Sequence, residues 1–217
     1  MFGLILNLLI GGGMSVFDST AIIRLPPPDT IGKVTVEVAL SRRRSVRSYA
    51  HKPLGLFEVG QILWAAQGKT GRSYGRTAPS AGATYPMELY LLAGNVEGLS
   101  PGIYHYLRAE HALESINAAD RRQELAGAAL GQTFIKNAPA VLVLCAEYKR
   151  TTGRYGERGE RYVHMEAGHI GQNVHLQCEA LGMGTVMIGA FIDSAVQRVL
   201  GTKFAPLYIM PVGYKAK

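Results

Sequence analysis

The sequence predicts an α+β fold, because helical and strand-like segments follow one another without a regular strand–helix–strand rhythm. Helices are indicated where apolar residues recur every three or four positions, and strands where short apolar runs lie between turn residues. Apolar residues make up 47% of the 217 residues, enough for one sizeable core. The composition therefore excludes a disordered chain, a collagen-like repeat and a coiled coil.

Five helices are expected along the chain. Thr35 is a good N-cap residue, and a helix that follows it would run through Val36 and Leu40 into an arginine-rich segment. A second helix carries apolar residues at helical spacing over 56–66 and ends at Gly68. Three more helices are expected at 119–130, 161–181 and 193–200.

Six strands are expected among these helices. The clearest is 140–146, a dense apolar run that follows Pro139 and predicts a buried strand. Residues 68–86 are expected to form a long ordered loop, a length that is usually functional inside a compact domain. Residues 148–160 are a polar stretch. The remaining strands are expected at 87–93, 102–107, 113–116, 184–188 and 207–212.

The prolines at 26–28 form a stiff, extended segment that separates an N-terminal arm, residues 1–32, from a domain at 33–217. Residues 1–17 carry no charged side chain, so the arm lacks the basic start of a secretory signal. Its apolar part is also shorter than the about 20 residues that span a membrane. We expect a cytoplasmic protein with a peripheral or dimer-contacting arm; an exported or anchored form is the alternative.

The net charge of +7 fits three classes of partner: nucleic acid, an anionic membrane or a phosphate-bearing small molecule. The arginines cluster near 42–47 and 149–161, and neither cluster forms a known nucleic-acid-reading motif. Nucleic acid is therefore not expected as a partner.

Metal and disulfide chemistry have little support in the sequence. Cys145 and Cys178 lack the partner spacing of a disulfide framework or a zinc site. Glu166 and His169 form one Glu-x-x-His unit, whereas a di-iron bundle needs a second copy and further carboxylates. No metal is expected.

Arg43 and Arg47 are candidates for binding an anionic ligand. Residues at positions i and i+4 share one side of a helical turn, so two guanidinium groups there would grip one ligand at two points. The alternative is a solvated basic face.

Three segments in order give the sequence a specific resemblance. RRSVRSY at 43–49, PSAGATYP at 79–86 and IGAF at 188–191, followed by Asp193, resemble the flavin-dependent nitroreductase family, most closely its SagB-type branch. That branch includes the azoline dehydrogenases of thiazole and oxazole peptide biosynthesis. The resemblance covers about residues 33–214 and implies a mixed, mostly antiparallel sheet packed with helices. It also implies an intertwined homodimer with one FMN in each of two interface clefts.

The resemblance further implies which residues bind the cofactor. The FMN phosphate and the N1/O2 edge of the ring would be held by Arg43, Arg44, Ser45 and Arg47. The ring would be covered from the partner subunit by Pro79, Ser80, Ala81 and Gly82. Ile188, Gly189 and Ala190 would pass close to the ring. Many family members carry a further basic pair after the last strand, for which Lys215 or Lys217 would substitute here.

The implied activity is that of an FMN-dependent oxidoreductase, in which a reduced nicotinamide, NAD(P)H, passes hydride to an acceptor such as a quinone or nitroaromatic. The alternatives are an azoline dehydrogenase and a non-catalytic flavin-binding or redox-sensing protein. The azoline dehydrogenases carry a Lys-Tyr pair before the long helix, which Arg154 and Tyr155 replace here. Arginine is a poor base, so Tyr155 is the candidate acid or base and Arg154 the candidate substrate-binding residue.

Overall fold

The computed structural model describes residues 21–71 and 75–216. The strands are β1 (Ile22–Arg24), β2 (Met87–Ala93), β3 (Gly102–Leu107), β4 (Ala112–Asn117), β5 (Ala140–Ala146), β6 (Met183–Thr185) and β7 (Ala205–Tyr214). The helices are α1 (Val36–Arg42), α2 (Leu56–Gln67), α3 (Arg122–Ala128), α4 (Phe134–Asn137), α5 (Lys149–Tyr155), α6 (Arg158–Ala180) and α7 (Asp193–Leu200). One 3₁₀ turn spans Ala81–Ala83.

The seven strands form one sheet in the order β1-β4-β3-β2-β5-β7-β6, and every neighbouring pair is antiparallel. The prediction of an α+β fold with a mostly antiparallel sheet is confirmed. β5 lies inside the sheet and its seven residues are all buried. This explains why its sequence is a continuous apolar run instead of an alternating one.

Helices cover both faces of the sheet. Leu142 and Leu144 of β5 pack in the core that contains α2 and α6, whereas Val141 and Val143 pack in the core that contains α3, α4 and α7. Side chains of a strand alternate between its two faces, so one strand supports both cores. The long helix α6 crosses the first face and brings its polar residues next to α2 and to the loop that precedes β2.

Most predicted elements lie where the sequence places them. Thr35 caps α1, its hydroxyl accepting a hydrogen bond from the Val38 N–H over 3.3 Å. The polar stretch 148–160 differs from expectation, since it contains α5 and the first turn of α6. Glycines and β-branched residues lower its helical propensity, but Thr151 is buried and Gly159 packs against the backbone of Thr152. Tertiary packing therefore stabilises the helix.

The arm contributes a strand to the sheet. Ile22–Arg24 pairs with β4, and three residues are too few for a periodicity signal. The uncharged segment 1–17 lies outside the described residues. Among helices of the described residues, none has the length and hydropathy needed to cross a membrane.

Candidate functional site

The arginine-rich segment follows the edge of the sheet. α1 ends at Arg42, and Ser45 then pairs with Thr185 of β6. The Val46 N–H donates to the Thr185 carbonyl over 2.9 Å. Gly184 leaves room for this contact, because a Cβ there would lie 2.6 Å from Val46 Cβ. The segment is thereby held against β6.

The helical spacing considered for Arg43 and Arg47 does not occur, because the chain leaves the helix at Arg43 with ψ near 126°. Val46 packs against the core that contains α3, α4 and α7, whereas Ser45 and Arg47 are exposed. Two guanidinium groups and one hydroxyl thus lie within five consecutive residues, and these groups suit one anionic ligand.

The arginines differ in their partners. Arg44 folds back, and its Nη1 donates to the carbonyls of Ser41 (3.0 Å) and Arg43 (2.8 Å). The Arg47 guanidinium lies 5.9 Å from the centre of the Phe134 ring. Within 21–71 and 75–216, no carboxylate lies within 4.0 Å of Arg43 or Arg47. These two cations are therefore available to an anion.

His175 on α6 lies near Arg43. Burial, together with the positive charge of Arg43, lowers the pKa of His175 to about 4. The imidazole is thus neutral at pH 7, and it adds no positive charge to the cluster.

Lys215 is near the same segment but is already paired. Its backbone forms a bridge with Tyr49, and its Nζ lies 2.6 Å from Glu179 Oε2. Lys217, the other basic residue considered for this role, lies outside the described residues.

The segment 188–190 leaves an open surface. Ile188 exchanges two backbone hydrogen bonds of 3.0 Å with Ile209, after which Gly189 and Ala190 are exposed. Apart from Gly189 and its two chain neighbours, no described residue has an atom within 4 Å of the position that a Cβ on Gly189 would occupy. The backbone at Gly189 can therefore approach a flat ligand closely.

The segment 79–82 meets Arg154 and Tyr155 of the same chain. The Gly82 carbonyl accepts a 3.0 Å hydrogen bond from Arg154 Nη1. Gly82 has φ +57°, and a Cβ there would collide with the Tyr155 hydroxyl. Only glycine fits this position without strain. Arg154, Tyr155 and the loop thus form one cluster.

Ser80 is anchored at the base of this loop. Its hydroxyl oxygen accepts from the Tyr85 N–H over 2.9 Å, and the hydroxyl also hydrogen-bonds the carboxyl of Glu166 on α6. Burial raises the pKa of Glu166, and the bonds from Ser80 and Gln67 oppose this change. The position of the loop therefore depends on a buried carboxyl group of α6.

One chain does not bring the two groups of predicted site residues together. Ser45 lies beside Thr185, which pairs with Val212, and Val212 pairs with the first residue of β5. Arg154 lies on α5, which follows the last residue of β5. A seven-residue strand is about 20 Å long. The Arg43–Ser45–Arg47 cluster and the 79–82 loop therefore lie toward opposite ends of β5.

A charged cluster lies at the same end of β5 as the 79–82 loop, and no sequence pattern predicted it. Glu88, which is 4% exposed, lies within 3.0 Å of His105, Arg108 and Arg150. The only signal in the sequence is an acidic residue inside an otherwise apolar strand. Its partners are on β3, after β3 and on α5, so no local pattern identifies them.

The comparison with protein families agrees with this geometry. Residues 40–214 match the model of the nitroreductase family. This chain belongs to the nitroreductase family. The match includes both clusters and the segment 188–190, so the predicted resemblance is confirmed.

Similar proteins match the chain over different lengths. A nitroreductase-like protein of Methanocaldococcus jannaschii, MJ1384, is 48% identical over 188 residues, which are 87% of this chain and 94% of that protein. A nitroreductase-like crystal structure from Anabaena variabilis has a TM-score of 0.80 and 28% identity, covering 95% of this chain and 45% of the other.

A third relative is the microcin B17-processing protein McbC of Escherichia coli. It is 30% identical over 146 residues, which are 64% of this chain and 54% of McbC. The chain spans about half the length of the Anabaena and Escherichia proteins. Family membership places the chain among oxidoreductases.

Proposed function

We propose that the chain is an FMN-dependent oxidoreductase that transfers hydride between NAD(P)H and an acceptor such as a quinone or a nitroaromatic. The observation that carries the proposal is the Arg43–Ser45–Arg47 segment, whose two arginines have no carboxylate partner among the described residues, in a chain of the nitroreductase family. When bound, FMN supplies a centre that accepts and donates hydride.

The residues fit an anionic cofactor with a flat ring. Arg43 and Ser45 would bind the phosphate, since guanidinium groups form strong, charge-assisted hydrogen bonds to phosphate oxygens. Arg47 would lie at the N1/O2 edge, where a fixed cation stabilises negative charge. Exposed Gly189 and Ala190 would face the ring. Arg44 would cap α1 through its hydrogen bonds to the carbonyls of Ser41 and Arg43. Lys215 would tie the chain after β7 to α6 through its ion pair with Glu179.

We also propose that the cleft is completed by a second copy of the chain. Pro79, Ser80, Ala81 and Gly82 lie toward the opposite end of β5 from Arg43, so in one chain they cannot cover a ligand held by the arginines. Contact with a second copy is also favoured by large apolar side chains that are exposed in one chain: Ile31, Val36, Leu40, Phe57 and Met165.

A second candidate function is the oxidation of peptide azolines to azoles. It is favoured by the similarity to the microcin B17-processing protein and by the position of Arg154 and Tyr155 against Gly82. In this reaction Tyr155 would take a proton as hydride leaves the substrate. Because an arginine side chain is a poor base, Arg154 would bind the carbonyl or an anionic group of the substrate instead.

The first experiment is to titrate the purified protein with FMN and follow the visible absorbance of bound flavin. We expect one FMN per subunit. The Arg43→Ala variant should bind FMN more weakly by about 1.5–3 kcal/mol, which is roughly a 10- to 100-fold rise in Kd. Arg42→Ala, which removes an exposed neighbouring arginine, is the matched control. A protein that gains no flavin absorbance would contradict the proposal.

The flavin-loaded protein is then assayed with NADH or NADPH and menadione or nitrobenzene, and separately with an azoline-containing peptide. Oxidation of the nicotinamide supports the first function, and conversion of the azoline supports the second. Flavin binding without turnover of either pair would instead assign a non-catalytic, redox-sensing role.

A further inference from the structure

A cavity of about 790 Å³ lies beside the 79–82 loop, away from the arginine-rich segment. This volume is within the range of about 300–1,000 Å³ that small-molecule sites occupy. Its walls come from the end of α2, the chain around Arg76, the start of β2 and the end of β3. They are Gln67, Lys69, Gly75, Arg76, Ala83, Tyr85, Glu88 and 105–110.

The carboxylate of Glu88 is fully engaged by other groups. Its Oε2 is 2.8 Å from His105 Nε2 and 3.0 Å from Arg108 Nη1, while its Oε1 is 2.6 Å from Arg150 Nη1. Burial would raise its pKa, but these donors outweigh burial and lower the pKa to about 2. Glu88 is therefore ionised at neutral pH, and its charge is shared by two arginines.

Arg76 has no comparable partner. Its guanidinium lies 3.8 Å from the centre of the Tyr85 ring, and Nη1 donates to Gln67 Oε1 over 2.8 Å. In the part of the chain that the structure describes, no carboxylate is within 4.0 Å of this guanidinium. Arg76 is half-buried, and burial together with the charge of Arg108 lowers its pKa to about 10. It remains a cation at neutral pH, and Glu166 and Glu88 stabilise its charge only from a distance, without an ion pair.

The buried Glu166 interacts with Arg76 without forming an ion pair. Its Oε1 accepts a 3.2 Å hydrogen bond from Gln67 Nε2, so the Gln67 amide separates the carboxyl group from the guanidinium. Burial raises the pKa of Glu166, and the charge of Arg76 opposes this change. The Arg76 guanidinium at the cavity wall therefore has room for the carboxylate of a ligand.

We propose that this cavity is a binding site for a small aromatic carboxylate, whose anionic group pairs with Arg76. The planar fork of arginine matches a carboxylate, with two parallel hydrogen bonds. Ala83, Tyr85 and Leu107 supply apolar surface for the body of the ligand. A neutral ligand of the same shape would leave the cation uncompensated.

The test is isothermal titration calorimetry of the full-length, FMN-saturated protein with naphthalene-2-carboxylate and with its neutral counterpart, naphthalene-2-carboxamide. Neither probe is reducible by a flavin, so the result does not depend on turnover. We expect the carboxylate to bind at least about tenfold more tightly, in the range of a hydrogen bond to a charged group. Equal affinities for the two probes would overturn the proposal.

The variant Arg76→Gln should abolish the preference for the carboxylate, while Arg198→Gln, an exposed arginine on α7, should keep it. Arg76→Lys keeps the charge but loses the planar fork of arginine, so it should keep part of the preference for the carboxylate. This variant also tests the proposal if Arg76→Gln does not fold. An unchanged preference in either Arg76 variant would place the carboxylate elsewhere and refute the site.

Discussion

Glu88 is a buried acid whose ionisation contributes to folding. Its folded-state pKa of about 2 is below the ordinary value of 4.5. A lowered pKa contributes stability that is present above the ordinary value and is lost as the pH falls through the folded value. We therefore expect the free energy of unfolding to decrease as the pH falls from about 4.5 to 2.

The Glu88→Gln variant tests this effect. At pH 7 it should be less stable by about 3 kcal/mol, because two arginines lose their buried carboxylate. It should also lose part of the pH dependence between 4.5 and 2. Urea denaturation at several pH values measures both, and Glu97→Gln, an acidic residue outside the ion pairs of the described chain, is the control. Parallel stability curves for wild type and Glu88→Gln would contradict the prediction.

Tyr155 is the candidate acid or base of the site. The Tyr155→Phe change removes only the hydroxyl that lies against Gly82, and we expect turnover to fall by about tenfold, the lower range for a positioned acid or base. Tyr162→Phe is a suitable control, because its ring packs edge-on against Tyr155 with 5.2 Å between centres. Unchanged turnover and KM in both Tyr155→Phe and Arg154→Gln would remove this pair from the site.

Site residues were predictable from the sequence to the extent that they are neighbours in it. Arg43, Ser45 and Arg47 form a compact pattern, although the end of the helix before Arg43 was not foreseen. Arg76 was missed because the cavity that it lines is formed by segments far apart in the sequence, and Glu88 was missed because its partners are on other elements. A buried ion pair between distant segments leaves no spacing signal.

At the scale of elements, α6 holds the loop that precedes β2. Asn173 Nδ2 donates to the carbonyls of Ala65 on α2 and Thr77 in the loop, both over 3.1 Å. The Thr77 hydroxyl in turn donates to the Trp64 carbonyl over 2.9 Å. The Asn173 amide thus joins α6 to both α2 and the loop, and the Thr77 hydroxyl adds a second link between the loop and α2.

We expect Asn173→Ala to lower the free energy of unfolding by about 1–3 kcal/mol, since two carbonyls lose their donor. Gln172→Ala, an exposed change one position away, should have little effect. Chemical denaturation compares the two variants. A loss of the same size in both would indicate a general effect on the helix instead of on the loop.

Element boundaries were most predictable where one physical signal dominated. The bounds of β2, β3, β5 and α7 agree with the sequence patterns, because apolar runs or helical spacing extend between clear turn residues. β1 and α4 have only three and four residues, too few for such a pattern. α5 was missed because its glycine and threonines favour other conformations in isolation.

The whole molecule is expected to be a homodimer. Val36 and Leu40 of α1 are 63% and 50% exposed in one chain, and burying such surface is the main driving force of association. Light scattering of the flavin-loaded protein should give twice the mass of one 23.4 kDa chain. Leu40→Asp should shift the protein toward monomer and weaken FMN binding, whereas Ile116→Asp, an exposed change on β4, should not. A monomer mass for the wild-type holoprotein would contradict the dimer.

The sheet has short strands at both edges, and this affects how the molecule behaves when crowded. β1 and β6 have three residues each, and the outer side of β6 is partly occupied by the bridge from Ser45. Long, unpaired edge strands are templates for pairing with other chains and so promote aggregation. Within the described residues, β1 offers only a three-residue edge and β6 is partly covered. The native sheet is therefore a poor template for the edge-to-edge growth that leads to fibrils.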